Sequence, residues 1–558
     1  MPFALDPISL ILFVISLLVG CIIPAWIIIE NARWKRVSTR STYVLPTDES
    51  ALAFTTELQG VDTGFFLVPD VPVVWIWRTD KLDFEHLKLG LQRTLNRIPI
   101  AAGKLVIGSE KLEITMKGSR GCYIRHQLRE TEAMPSSSAP SSAWSKYGIF
   151  DTLIPAEPFD RPFLCATLTH FKTGSCLYVN FSHALMDGAA MSMFMQVWSF
   201  ETNAVASRDS ASTTTQEPPK DVDCDHHFRG TTVKLDKDDE SRYMSFFQAI
   251  QFIRAIAWNY YTQQVVDFEF NSDTWGKIKD QVHQGLDKGQ WVSSYEAIMG
   301  LVLSCIGAAR TQNGHTKTDV RAIVNIRGRS SLFSPRYFGN ALGMHEFTVG
   351  STAASSEVAR DLHDTLRDAL KAVTPLEKAV LIPQHFETHR PTPVIGRLFG
   401  GRLDYVQRAR YVLGWERSSV SDSYIINSWV GYPWLEVQFA TGKDADEMRV
   451  PPAFRSPRQS FVCPIAKDKY QLRVSLPRNE INTFRSALKK SGFDFRETEN
   501  QNAVWYFPLI NLDFLSSCVY SARLNSTRLY HRAAKAMSKS TRGNRDRLPS
   551  VGTEASIF

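Results

Sequence analysis

The pattern of hydrophobic and polar positions predicts short strands and helices along most of the chain. Residues 73–77 form a compact apolar run typical of a strand, and residues 82–95 carry apolar side chains at helical spacing. Residues 176–181 predict a further strand, and the apolar, Met-rich segment after Gly188 predicts a buried helix. Residues 182–187 are therefore expected to form a strand-to-helix junction.

The N-terminus has a different pattern, because residues 8–29 contain no charged side chain. As a helix, these residues would rise about 33 Å, which is enough to cross a bilayer core. The preceding stretch has no Lys or Arg, unlike a secretory signal peptide, whereas Arg33, Lys35 and Arg36 follow the apolar run. Positive charge on that side predicts a single-pass membrane protein with its body facing the cytosol. A buried core helix is the alternative for so apolar a terminal run.

Composition changes this picture little. The 558 residues are 44% hydrophobic and 22% charged, as in an ordinary globular protein of two domains or one large two-lobed enzyme. The eight cysteines are scattered without a C-x-x-C pair, which favours reduced thiols over a secreted disulfide scaffold.

The net charge of +7 comes from the C-terminal tail. Residues 523–547 contain eight Lys or Arg and one acidic residue, Asp546, so the rest of the chain is nearly balanced. A basic tail could touch anionic lipid head groups, or it could be a solvated, disordered extension. Nucleic acid is not expected as a partner, because no basic patch interleaved with aromatic residues occurs elsewhere.

The predicted junction carries the first candidate chemistry, at His183, Asp187 and Gly188. A histidine at the end of a strand can act as a general base, since its unperturbed pKa lies near neutrality. The aspartate can fix the local loop, and the glycine leaves room for close approach of another group. The alternative is a core histidine followed by a turn that starts a helix.

Two later stretches add polar candidates. Residues 324–329 place Asn325, Arg327 and Arg329 at a predicted strand end, where a solvated pair of arginines is the plain alternative. Residues 223–227, Asp-Cys-Asp-His-His, contain metal-ligating side chains. Adjacent residues in a loop rarely reach one tetrahedral site, so no metal is predicted.

Several motifs together resemble the BAHD and related CoA-dependent acyltransferases of the chloramphenicol acetyltransferase-like superfamily, which include fungal trichothecene acetyltransferases. Residues 183–188, His-Ala-Leu-Met-Asp-Gly, match the HxxxDG motif, and Ser182 stands where wax ester synthases usually carry a second histidine. Residues 293–297 are similar to the family's Ser-Ser-Phe-Glu-Ala helix, with Ser293 and Glu296 at capping-box spacing. Residues 337–340 match its YFGN string.

The third block, residues 427–442, resembles the family segment that contains Ser-Trp and ends in DFGWG. The DFGWG string itself is replaced by Gln-Phe-Ala-Thr-Gly at residues 438–442. This departure bears on the assignment to a subfamily more than on the predicted reaction.

The resemblance implies an α/β fold with two chloramphenicol acetyltransferase-like lobes of mixed sheets flanked by helices, to which the residue pattern adds one N-terminal transmembrane helix. The expected division is a lumenal N-terminus at 1–7, the anchor at 8–29, an N-terminal lobe at 41–203, a crossover loop at 204–235, a C-terminal lobe at 236–522 and the tail at 523–558. The anchor suggests the endoplasmic reticulum as the membrane.

The resemblance also implies roles for particular residues. His183 would be the catalytic base, and Arg327 would pair with Asp187, which faces away from substrate, next to Gly188. Asn427 and Trp429 would lie near the acceptor and the developing oxyanion. No serine or cysteine stands beside the base in a recognisable nucleophile motif, so direct attack is expected rather than an acyl-enzyme.

The predicted function is transfer of an acyl group, most simply acetyl, from acyl-CoA to a hydroxyl of a hydrophobic small molecule in secondary metabolism. Acyl-CoA is a co-substrate, no bound cofactor is expected, an amine could replace the alcohol, and the protein is expected to be a monomer. Two alternatives stay open: a membrane lipid or wax-ester O-acyltransferase, and a non-catalytic binding protein on the same fold.

Overall fold

The computed structural model of the chain describes residues 38–58, 70–107, 112–148, 162–210, 218–224, 262–329, 332–371, 423–451 and 458–501. In these residues thirteen strands form one continuous mixed sheet, and three short strands form a separate small sheet. Helices cover the large sheet in two groups, one for each lobe, so this part of the chain is a two-lobed α/β structure.

The first lobe contains five strands of the large sheet in the order β1-β6-β7-β8-β3. Their bounds are β1 Ser38–Val44, β3 Val71–Trp77, β6 Cys122–Arg129, β7 Leu164–Phe171 and β8 Ser175–Phe181. Only β6 and β7 are parallel neighbours within this set. The small sheet consists of β2 Thr55–Glu57, β4 Lys104–Ile107 and β5 Leu112–Thr115.

Two long helices cover this part of the sheet: α2, Phe84–Arg97, and α3, Gly188–Ser210. The Asp83 side chain caps α2 by accepting from the His86 amide, and a 3₁₀ turn at Pro99–Ala102 follows the helix. Helix α3 is buried on nearly every side over residues 188–199, as its uniformly apolar sequence predicts.

The two helices pack very closely. A Cβ added at Gly90 of α2 would lie 2.1 Å from the Thr202 hydroxyl of α3, and the Trp198 indole donates to the Leu87 carbonyl at 2.9 Å. A glycine is therefore required on α2 at this crossing, and α3 is held rigidly behind the junction that contains His183.

The second lobe contains seven further strands of the large sheet. They are β9 Gln263–Asn271, β10 Lys317–Asn325, β11 Leu342–Gly350, β12 Tyr424–Ser428, β14 Gln459–Ala466, β15 Lys469–Pro477 and β16 Arg496–Gln501. Strand β12 lies between β10 and β14 and is parallel to both. The helices of the second lobe are α4 Ser272–Gln284, α5 Ser294–Thr311, α6 Ser355–Lys371 and α7 Arg478–Lys490. The remaining helix, the four-residue α1, Glu49–Leu52, belongs to the first lobe.

The capping box expected at Ser293 is confirmed. The Ser293 hydroxyl accepts from the Glu296 amide at 3.2 Å, and the Glu296 carboxylate accepts from the Ser293 amide at 2.5 Å.

A short strand, β13 Glu447–Arg449, joins the lobes. It pairs antiparallel with β3 of the first lobe and, through Glu447 and Ala466, with β14 of the second. The segment before it also belongs to the first lobe, since Trp434, Val437 and Phe439 lie in that lobe's core. The lobe boundaries expected from the sequence remain predictions. However, Trp434, Val437, Phe439 and β13, which fall within the predicted C-terminal lobe, pack with the first lobe.

The predicted membrane anchor requires correction, because within the described ranges no helix combines the length and apolarity needed to span a bilayer. Residues 8–29, on which that prediction rested, lie outside the described residues. The fold class is therefore corrected to the two-lobed α/β structure that the described residues form. The predicted single-pass localisation with a cytosol-facing body loses its support with it.

Other predicted segments also lie outside the described residues. These are the basic tail at 523–558 and most of the crossover loop at 204–235, of which residues 204–210 continue α3 and residues 218–224 are described separately.

Candidate active site

The strand-to-helix junction is built by β8 and the start of α3. Six of the seven residues of β8 are buried between β7 and β3, so the strand end has a fixed position. The chain then turns, with the Met186 amide donating to the Ser182 carbonyl at 3.2 Å, before α3 begins at Gly188. His183 lies within this turn and is half-buried.

The imidazole of His183 is held by the second lobe. Its Nδ1 lies 3.2 Å from Oδ1 of Asn340, while the Asn340 amide nitrogen donates to the His183 backbone carbonyl at 2.8 Å. Since that second bond fixes which end of the amide faces the ring, Nδ1 must carry the proton and donate it to Oδ1. The basic nitrogen of the imidazole is then Nε2.

The Asp187 carboxylate has a complete set of donors and is fully buried. Its Oδ1 accepts from the Ala190 amide at 3.0 Å and from Nη2 of Arg327 at 2.9 Å. Its Oδ2 accepts from Nη1 of Arg327 at 2.7 Å and from the Ala341 amide at 3.0 Å. A carboxylate with four donors at these distances is suited to structure rather than to proton transfer.

Arg327 connects this carboxylate to the loop that follows β10. Its Nε donates to the Tyr337 carbonyl at 2.8 Å, and Nη2 also donates to the Gly339 carbonyl. The guanidinium side chain is only 3% exposed. One arginine thus fixes the start of α3 in the first lobe against residues 337–341 of the second, which carry Asn340.

Gly188 admits an aromatic side chain to the first turn of α3. A Cβ at this position would lie 2.6 Å from Nε1 of Trp429, so only glycine allows the indole to approach so closely. The Trp429 ring stacks on Trp434, with centroids 4.7 Å apart, and meets the Phe461 ring edge-on at 4.8 Å.

Asn427 and Trp429 lie at the end of β12. The Trp429 amide donates to the Val462 carbonyl at 2.8 Å, which extends the pairing with β14 by one residue. Because side chains alternate along a strand, Asn427 and Trp429 point to the same face, toward the first lobe, while Ile426 packs in the core of the second. The Asn427 side chain is half-buried.

Two further polar residues lie beside the ion pair and were given no role from the sequence. Oδ1 of Asn325 accepts from the Arg327 amide at 3.1 Å, and the Tyr432 hydroxyl lies 3.4 Å from the Asn325 amide nitrogen. Burial, followed by the charge of Asp187, raises the pKa of Tyr432 to about 12. Asn340 is likewise new, although its place in the YFGN string could have indicated it; no local signal marks Tyr432.

The crossover segment at residues 218–224 packs against the same loop. The Phe338 amide donates to the Asp223 carbonyl at 2.7 Å, and the Ser334 hydroxyl donates to the Asp223 carboxylate at 2.6 Å. Asp223 therefore helps to hold the loop that carries Asn340. Of the residues considered as metal ligands, 225–227 lie outside the described part of the chain.

Comparison with known proteins gives matches over most of the chain. A family model described as the Transferase family matches residues 39–490. The acyltransferase clz6 of Cochliobolus lunatus is 26% identical over 294 residues, which cover 46% of this chain and 59% of that relative. The BAHD acyltransferase BIA1 of Arabidopsis thaliana is 24% identical over 64% of this chain and 73% of its own length. The match with clz6 thus spans less than two thirds of that relative.

Solved structures share the fold. TRI101 of F. graminearum, crystallised with coenzyme A and T-2 mycotoxin, superposes with a TM-score of 0.57 at 14% identity. The superposition covers 80% of this chain and all of the other. At this level of identity the likeness establishes the fold alone.

Proposed function

The chain belongs to the Transferase family, and from this premise we propose that it is an acyl-CoA-dependent O-acyltransferase that uses His183 as general base. The resemblance to BAHD-like acyltransferases identified from the motifs is confirmed by this membership and by the relatives. The observation that carries the proposal is the Asn340 contact, which gives His183 a defined tautomer with a basic Nε2.

The proposed donor is acyl-CoA, most simply acetyl-CoA, used as a co-substrate without a bound cofactor. The proposed acceptor is a hydroxyl of a hydrophobic small molecule in secondary metabolism, and the protein would act as a monomer. Support comes from the TRI101 structure, which was solved with coenzyme A together with a toxin. The indole of Trp429, which approaches the junction at Gly188, supports an acceptor with an apolar body.

The proposed reaction proceeds without an acyl-enzyme. Nε2 of His183 removes the proton of the acceptor hydroxyl as its oxygen attacks the thioester carbonyl. The tetrahedral intermediate collapses with cleavage of the C–S bond, and the imidazolium returns the proton to the coenzyme A sulfur. Asn340 keeps Nδ1 protonated throughout, because its Oδ1 can accept only from a protonated Nδ1.

The remaining predicted residues have supporting roles in this proposal. Asp187 and Arg327 hold the junction in place, and Gly188 admits the Trp429 indole. Asn427 and Trp429 share the face of β12 that is directed to the first lobe, so their side-chain N–H groups are suitable donors to the developing oxyanion. Donors held in place before reaction stabilise such charge without reorganisation.

The direct test measures release of coenzyme A thiol from acetyl-, malonyl- and long-chain acyl-CoA with a panel of hydrophobic alcohols. His183→Ala is expected to lose about a hundred- to ten-thousand-fold in acceptor-dependent rate, the typical contribution of a general base. His86→Ala, on the outer surface of α2, is the matched control and should keep the wild-type rate.

Thiol release that survives His183→Ala would overturn the mechanism. If no donor gives thiol release, but the folded protein binds coenzyme A, the binding-protein alternative would be favoured. A strong preference for long-chain donors would favour lipid acylation over acetylation.

A further inference from the structure

A short hydrogen-bonded chain extends from Arg327 to Tyr432 and has no part in the mechanism above. Oδ1 of Asn325 accepts from two Arg327 donors, the backbone amide at 3.1 Å and Nη1 at 3.2 Å. The Asn325 amide nitrogen lies 3.4 Å from the Tyr432 hydroxyl. Arg327 is itself fixed by Asp187, so the chain starts from a rigid buried group.

The direction of this chain follows from the chemistry of its members. A guanidinium and a backbone amide can only donate, so they require the oxygen end of the Asn325 amide. The other end, an NH₂ group, can only donate as well, and the Tyr432 oxygen must therefore accept from it. The hydroxyl proton of Tyr432 is consequently directed away from Asn325.

The surroundings of Tyr432 combine polar and aromatic groups. Its ring lies edge-on to Trp434, which stacks on Trp429 beside Gly188. Tyr432 is half-buried, and the same hydroxyl lies within the electrostatic influence of Asp187. Trp429 and Trp434 are buried, so the half-buried Tyr432 is the member of this aromatic group whose hydroxyl can donate to a ligand.

We infer that Tyr432 is a specificity-determining residue whose hydroxyl donates a hydrogen bond to an oxygen of the bound substrate. Such an oxygen is a carbonyl, ether or second hydroxyl of the acceptor, or a carbonyl of the acyl-CoA arm, so a purely hydrocarbon alcohol would bind less well. The inference rests on the proposed function, since it assumes that substrates reach the space beside His183. Asn325 acts on the substrate only through Tyr432, by setting the direction of the hydroxyl.

The experiment compares Tyr432→Phe, Asn325→Asp and the double variant with wild type, using kcat and both Michaelis constants. Tyr432→Phe is expected to raise one KM about two- to tenfold, the effect of one neutral hydrogen bond, with kcat changed less than twofold. Asn325→Asp should raise the same KM, because a carboxylate would take the hydroxyl proton for itself. The double variant should be no worse than the more impaired single variant. Tyr43→Phe, an exposed tyrosine of β1, is the matched control.

The KM that rises identifies the source of the oxygen, the acceptor or acyl-CoA. Unchanged values of both constants in folded Tyr432→Phe would overturn the inference, as would additive effects in the double variant. If wild type releases no thiol, the proposed function fails, and the inference is then tested by calorimetric binding of coenzyme A and of the alcohol panel to His183→Ala with and without Tyr432→Phe. Equal affinities in the two proteins would again overturn it.

Discussion

At the scale of single residues, the Asp187–Arg327 ion pair is the feature of the site that is most costly to bury. Two full charges are removed from water, and they are compensated by the bidentate contact, by the two backbone amides that donate to the carboxylate and by the carbonyl partners of the guanidinium. A lysine at this position would keep the charge, but one ammonium cannot bridge both carboxylate oxygens and reach the Tyr337 carbonyl.

Arg327→Lys is therefore expected to reduce both the acyl-transfer rate and the free energy of unfolding, and Arg327→Ala to reduce the latter by about 3–5 kcal/mol. Urea unfolding and thiol release measure the two effects. Arg485→Lys is the control, because Arg485 makes a similar bidentate contact with Glu497 at the surface, worth less than about 1 kcal/mol. Equal losses at the two sites would mean that burial of the first pair has no energetic consequence.

At the scale of elements, the neighbouring strands β6 and β7 carry a hydrogen-bonded histidine pair, His126 and His170, in which at least one ring must be neutral. His170 Nε2 donates to the Leu82 carbonyl at 2.7 Å, so its Nδ1 accepts from His126 Nε2 at 3.2 Å. The Phe84 ring stacks on His126, and the Arg40 guanidinium lies over the same phenyl ring, 4.9 Å from its centroid. Burial, and then the charge of His170, lowers the pKa of His126 to about 4, and burial also lowers the pKa of His170.

The sign of the resulting pH dependence follows from proton uptake. Below the ordinary histidine pKa of 6.5 the unfolded chain binds protons that the folded pair does not, so the free energy of unfolding should decrease as the pH falls from 6.5 toward about 4. It should be insensitive to this pair at higher pH. Thermal unfolding of His126→Gln should show a shallower acid slope than wild type. Parallel slopes for wild type and His126→Gln would contradict the assignment.

At the scale of the whole molecule, the crossing strand β13 joins the lobes through a buried cluster of charges. Arg449 donates to Glu269 of β9 at 2.9 Å, to Glu447 of its own strand at 2.9 Å and to the Ser137 carbonyl of the first lobe at 2.6 Å. Arg78, after β3, donates to Glu447 at 2.6 Å. The cluster therefore links both lobes through β13.

Arg449→Met should lower the free energy of unfolding by about 3 kcal/mol, since it leaves buried carboxylates with fewer partners. Urea unfolding followed by both fluorescence and circular dichroism would measure the loss and show whether the lobes then unfold separately. Arg360→Met, at an exposed pair with Asp361, is the control and should change stability by less than about 1 kcal/mol. An unchanged midpoint for Arg449→Met would show that the cluster does not join the lobes energetically.

The sequence by itself determined the local elements and the principal polar residues. Apolar runs and helical spacing predicted β3, α2 and β8, and Ser293 with Glu296 predicted the start of α5, because these signals depend on residues a few positions apart. Motif strings also singled out His183, Asp187 and Arg327, whose functional roles remain predictions. The same local reasoning predicted a membrane anchor at residues 8–29, which the structure does not support.

Only the tertiary structure decided how these parts meet. The amide of Asn340 against His183, the indole of Trp429 against Gly188 and the pairing of β13 with β3 all join positions more than 100 residues apart in sequence. Periodicity carries no information on such pairings, because hydrophobic burial is non-directional and many packings would satisfy the same pattern. The particular contacts are selected by close packing and by the need to give every buried polar group a partner, and these conditions apply only when the two lobes are assembled.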